Sequence, residues 1–167
     1  RAFKESLVDL RYLPFLWLSA AAVADARGRR TTFRGIGVIV AVWTVDALLQ
    51  AVTGTSPLFW GIDSIKQLAS GHPMCPAGAN VALLNDRLSG VLGPCNLKLG
   101  PVLASLSPFA LDAALRRFGR VGWLVAAAAL GVVVLLAGAR AAWITYAVVL
   151  LFAGWRVLGV RRLLGLF

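Results

Sequence analysis

The chain has 167 residues, of which 59% are hydrophobic and 14% charged, with a mean hydropathy of +0.80. A soluble domain carries charge on roughly a quarter of its residues, and at this length no compact core can hide so much apolar side chain from water. Lipid is the solvent that suits it. The net charge of +10 does not describe a nucleic-acid surface, because the basic residues fall in short clusters between apolar stretches and not along one polar face.

The first nine residues, Arg1 to Asp9, have neither the charged start nor the cleavage site of a signal peptide, and no Met opens them, so an internal piece of a longer protein is expected. Hydropathy predicts an all-α fold, a polytopic transmembrane helical bundle of about five spans forming a single transmembrane domain fragment. The expected spans are 7–26, 35–53, 97–115, 121–139 and 141–160. Asp9 and Arg11 fall in the first turns of 7–26, a pattern that also suits a helix lying in the interface. Only Arg140 interrupts the apolar run that carries the last two spans. One helix over that run would overreach the bilayer, so a turn is expected near Gly138.

The short loops give direction. Arg27, Arg29, Arg30 and Arg34 precede the second span, Arg116, Arg117 and Arg120 separate the third from the fourth, and Arg156, Arg161 and Arg162 end the fifth. Ten of the 17 basic residues therefore mark alternate loops, the cytoplasmic side. By elimination the segment 54–96 and the turn at Arg140 share the opposite face, which in a bacterium is periplasmic.

That outward segment is too long for a tight connection and is punctuated by Gly54, Pro57, Gly71, Pro73, Pro76, Gly90 and Pro94. Cys75 and Cys95, the only cysteines, both lie in it. An oxidising periplasm permits them to pair, and spacing alone leaves pairing open. With His72 they make no familiar metal-ligand spacing, so no metal is expected. His72, the sole histidine, reads first as a solvated loop residue.

Arg140 is the one charge between Arg120 and Arg156, and it stands against the positive-inside bias. It either snorkels to anchor a helix end or belongs to an anion site. Arg87 opens Arg87-Leu88-Ser89-Gly90-Val91-Leu92-Gly93-Pro94-Cys95-Asn96, where glycine and proline bring backbone close to a ligand. Asn96 is the expected N-cap of the following span, and Lys98 adds a charge. Two arginines with free backbone N–H groups and a positive helix start would match a pyrophosphate diester.

This Arg-Leu-Ser-Gly segment ending at Asn96, with Gly138-Ala139-Arg140-Ala141-Ala142-Trp143 two spans later, resembles the O-antigen ligase and O-antigen polymerase superfamily. The resemblance covers about 40–155 and implies a metal-independent glycosyltransferase without a cofactor. It would act in lipopolysaccharide biosynthesis, taking a glycan from undecaprenyl pyrophosphate on the periplasmic face of the bacterial inner membrane. The acceptor would be lipid A–core for a ligase or a growing glycan for a polymerase. The resemblance implies that Arg87 and Arg140 bind pyrophosphate, with Ser89, Asn96 and Lys98 supporting the donor site. The family's further outward loop with a histidine motif does not occur before Phe167, so no catalytic residue is assigned and His72 does not take that role.

Asp46 and Gln50 share one face of the second span at i and i+4, and an intramembrane aspartate needs protein or water beside it. Asp46 is expected either to pair with Arg11 or to line a substrate path. With Pro101 and Pro108 it also motivates a rival reading as a transporter piece, although no internal repeat accompanies it. A membrane scaffold in which Arg140 is only an anchor is the third reading. The six tryptophans mostly flank span ends and read as interfacial anchors.

Overall fold

A computed structural model describes residues 20–21, 23–75, 88–96 and 98–158. These residues form helix α1 (Ala26–Thr53), helix α2 (Pro57–Ser70), a short 3-10 turn (Gly90–Leu92), helix α3 (Leu99–Leu136) and helix α4 (Arg140–Leu158). Contacts divide the chain into two units, Arg1–Ile36 and Gly37–Phe167, with α1 passing from the first into the second.

In the first unit Asp25 begins α1, since its Oδ1 accepts the Gly28 N–H at 3.0 Å, the bond an N-cap side chain makes. Arg29 donates to the carbonyls of Val23 and Ala24 and so holds the chain entering the helix. Arg27, Arg29, Arg30 and Arg34 therefore ride on the first turns of α1, whereas a loop before a span starting at 35 was expected.

The second unit is built on small residues at helix contacts. Along α1, Gly37, Val40, Thr44 and Ala47 form the buried stripe, and Val38, Val42, Val45, Leu49 and Val52 form an exposed apolar one. A Cβ at Gly37 would come to 3.1 Å from both the Ala113 Cβ and the Phe109 carbonyl, so glycine lets α1 approach α3 there.

Helix α3 reverses within itself. Gly119 adopts φ 68° and ψ −156°, a conformation that essentially only glycine accepts. A Cβ at Gly100 would lie 3.1 Å from the Ala137 Cβ, although a straight helix would separate those positions by about 55 Å. The two arms of α3 accordingly fold back beside each other, and the second arm then packs on α4, where Gly131 approaches Tyr146.

Among the described residues two helices, α1 and α3, are long and apolar enough to cross a membrane. This corrects the expected bundle of about five spans, while the all-α class stands. The expected span 7–26 lies, apart from its end, outside the described residues. Within the stretches 97–115 and 121–139 the described helical residues form the two arms of α3, and the reversal beside Arg116, Arg117 and Arg120 is made at one non-helical residue, Gly119. Helix α4 falls where 141–160 was expected but is not one of those two helices. The segment 54–96, expected as a long loop punctuated by turns, contains α2.

Only 28% and 22% of the apolar windows of α1 and α3 are buried. A core helix of a soluble protein hides most of its apolar surface, and these helices present theirs, as lipid-facing helices do.

The end of α3 shows a full accounting of backbone carbonyls, which a helix C-terminus otherwise leaves open. Val133 accepts from the Ala137 N–H at 2.9 Å, Leu135 from Gly138 at 3.0 Å and Leu136 from Leu88 at 3.4 Å. The remaining one, Val134, accepts from the Trp143 indole Nε1 at 3.1 Å. The Tyr146 hydroxyl donates to the Ala127 carbonyl at 2.6 Å one turn further along α4. Trp143→Phe keeps the ring and removes the donor, so a loss of about 1–2 kcal/mol is expected. An unchanged denaturation midpoint in detergent would remove Trp143 from this role.

Candidate functional site

Two side chains of α1 hold the start of α2 and the 3-10 turn. The Asp46 carboxylate is 2% exposed and accepts from the Ser56 hydroxyl at 2.6 Å and from the Leu58 N–H at 3.0 Å. Ser56 in turn accepts from the Phe59 N–H at 3.1 Å as the N-cap of α2, with Pro57 in the first turn. The carboxylate thus sits at the positive start of α2, where charge, dipole and free N–H groups all favour it. Its partners among the described residues are the cap hydroxyl and a backbone N–H at a helix start, which offset the cost of burying it. Arg11 lies outside the described residues.

Gln50, one turn along, holds the other end of the segment. Its Oε1 accepts the Gly90 N–H at 2.6 Å and its Nε2 donates to the Ser89 hydroxyl at 3.3 Å. Gly90 has φ 52°, and a Cβ there would meet the Leu99 side chain at 3.0 Å and approach Ala47. Glycine is therefore required both by the turn and by its seat between α1 and α3.

Between these anchors the chain is fastened twice more. Asp63, a buried residue of α2, accepts from the Met74 N–H at 2.6 Å and from the Gln67 amide at 2.7 Å. Next to Met74, Cys75 forms a disulfide with Cys95, with the Cα atoms 5.6 Å apart. A closed loop of this length restrains the unfolded chain by about 3 kcal/mol. Gly93, at φ 77°, leaves room for the Phe59 ring, which a Cβ there would overlap.

The residues singled out in the sequence divide into separate roles here. Ser89 is buried and engaged by Gln50. The Asn96 side chain accepts the Lys98 N–H at 3.1 Å, turning the chain into α3, and the helix begins after Lys98. Lys98 and Arg140 are both exposed. His72 is exposed beyond the end of α2. Arg87 lies outside the described residues, and its neighbour Leu88 is bonded to Leu136 near the end of α3.

Lys98 and Arg140 stand at the starts of neighbouring helices. Position 100 packs against Ala137, Ala139 and Ala142, so the beginnings of α3 and α4 meet at one end of the unit. First-turn N–H groups lack intrahelical partners and carry partial positive charge. Among the described residues the one salt bridge joins Arg116 to Asp112, and Asp46 and Asp63 are committed to backbone and side-chain donors. The result is an exposed end with two cations, two helix starts and no acidic partner among the described residues. Such an end suits an anion of the phosphate class.

Asp63 and Gln50 carry more of this arrangement than their sequence context suggested. The i, i+4 pairing of Asp63 with Gln67 was visible in the sequence. The bond from Gln50 to Gly90 joins positions 40 residues apart and had no local sign.

Comparison of the chain with protein-family models, with curated proteins and with solved structures gives no match.

Asp46→Ala leaves the Ser56 hydroxyl and the Leu58 N–H without their acceptor, at an expected cost of about 2–4 kcal/mol. Hydrogen exchange on the intact protein should show the N–H groups of 56–60 losing protection before those of α4. Equal loss in both would mean Asp46 is not the local anchor.

Proposed function

We propose that this chain is the donor-binding part of a membrane glycosyltransferase of the O-antigen ligase type. It transfers a glycan from undecaprenyl pyrophosphate to lipid A–core at the periplasmic face of the bacterial inner membrane. The observation that carries this reading is the pairing of exposed Lys98 and Arg140 at two adjoining helix starts. The sequence resemblance around Arg87 and Arg140 supplies the substrate class.

Two further features support the side of the membrane. The Cys75–Cys95 disulfide belongs to the same segment as Ser89 and Asn96, and disulfides persist in oxidising compartments. Arg156 lies about 24 Å along α4 from Arg140, near the Gly119 reversal end with Arg116, Arg117 and Arg120. Basic residues gathered at that end suit the cytoplasmic side.

In the transfer, the bond from the anomeric carbon to the pyrophosphate oxygen breaks as the acceptor oxygen attacks, and negative charge grows on the departing pyrophosphate. A guanidinium fixed at the start of α4 stabilises that charge without reorganising during the reaction. Lys98 adds a point charge from the neighbouring helix. The role of Arg87 rests on the resemblance alone, and the acid–base group is unassigned.

Arg140→Ala in the complete protein is expected to lower glycan transfer roughly a hundredfold or more, with Arg140→Lys retaining part of the activity. Gel analysis of surface lipopolysaccharide, with protein abundance measured alongside, reads the effect. Normal glycan attachment at normal abundance in Arg140→Ala would overturn the assignment.

A further inference from the structure

Helix α2 is amphipathic in an unusual sense. The side of α2 held by the protein carries Asp63, which is buried, and at its edge the exposed Gln67 bonds Asp63 and the exposed Lys66 donates to the Pro73 carbonyl at 3.3 Å. Phe59, on the same side, lies against Gly93. The outward face is apolar: Trp60 is 58% exposed, Ile65 67% and Leu68 88%, with Ile62 and Ala69 beside them. At about 100° per residue these positions share one side of the helix with Pro57, Gly61 and Ser64, and the Ser64 hydroxyl is turned back to the Trp60 carbonyl at 2.8 Å.

Water is a poor solvent for that face, and a helix of this pattern commonly lies in a bilayer interface. The surface it joins points to the same occupant. Leu49 and Val52, on the exposed stripe of α1, precede α2 by a link of only three residues, Gly54, Thr55 and Ser56, and Val52 is 86% exposed. Asp46 fixes the start of α2 back against α1, so α2 leaves from beside the lipid-facing helix and not from a remote loop tip. Trp60, with an apolar ring and a polar indole N–H, suits headgroup depth at the start of such a helix.

We infer that α2 is an interfacial helix, lying in the outer membrane-water boundary with Trp60, Ile65 and Leu68 among the acyl chains and its polar face turned to the disulfide-closed segment. The occupant of the apolar face is lipid. This placement sets the depth of the segment carrying Ser89 to Asn96 at the headgroup layer, where an amphiphilic substrate would present its polar part. It depends on α1 being in a bilayer and not on the chemistry of glycan transfer.

The test uses the full chain in phosphatidylethanolamine–phosphatidylglycerol vesicles. Because Cys75 and Cys95 are bonded to each other, single cysteines introduced as V45C, I65C, L68C and S70C can each carry a fluorescent label. Labels at 45, 65 and 68 should be quenched by nitroxide-bearing lipids and at least fivefold less by aqueous iodide than the label at 70. The nitroxide should act best near the headgroup for 65 and 68 and deeper for 45. Strong iodide quenching at 65 and 68 with lipid quenching at 45 overturns the interfacial helix alone. Shielding from both quenchers at 65 and 68 assigns the face to a protein partner or a second copy and also overturns it. Iodide quenching at 45 removes the bilayer from α1 and the inference with it.

Discussion

The Asp46 carboxylate receives the start of α2, and that helix takes its position from the contact. A bare carboxylate on an apolar helix would be costly to bury. Here the cost is offset by a hydroxyl, a backbone N–H and the positive end of a helix. Gln50 repeats the device one turn later with Gly90 and Ser89. The two ends of a long excursion are thus gripped by one face of α1, and Asp63 with the disulfide draws its middle together. Among the described residues the buried Asp46 and Asp63 accept backbone N–H groups, while Lys98 and Arg140 stay exposed.

The Arg140-Ala141-Ala142-Trp143 stretch shows that separation within four residues. Ala142 is buried where the first turn of α3 approaches, and a larger side chain would push the helices apart. Trp143 supplies the bond that Val134 lacks. Arg140 is exposed at the point where α3 hands over to α4. A run that reads as a single motif is therefore a packing residue and a cap placed around one exposed charge. The same holds between 89 and 98, where the Ser89 hydroxyl accepts from the Gln50 amide, Asn96 holds backbone and Lys98 is exposed.

Helical character, the turn near Gly138 and the isolation of Arg140 were legible because they depend on local pattern: apolar runs, a glycine, one charge. The span count was not. Arg116, Arg117 and Arg120 suggested a loop, yet a chain can reverse at one residue when that residue is Gly119. Helix α2 was hidden by its glycine and proline flanks, which read as loop punctuation although Ser56, Pro57 and Gly71 are the N-cap, first turn and C-cap of a helix. Asp46 was rightly marked as needing protein beside it, and the helix start ten residues away, which supplies two donors, had no local sign because it depends on how α2 turns back. Cysteine spacing left the disulfide open, and tertiary contacts on either side of it decide the pairing.

The reversal at Gly119 also bears on the order in which the chain assembles. Contacts between the arms of α3, and between its second arm and α4, join neighbours along the chain, so little loop entropy is lost in making them. The bonds from Gln50 to Ser89 and Gly90 span 39 and 40 residues and require α1, α2 and the start of α3 to be in place together. Folding should therefore proceed from a rapidly formed hairpin at the C-terminal side to a slower docking on α1. A helix break of one residue keeps the first step local and leaves the long-range polar contacts to close the structure last.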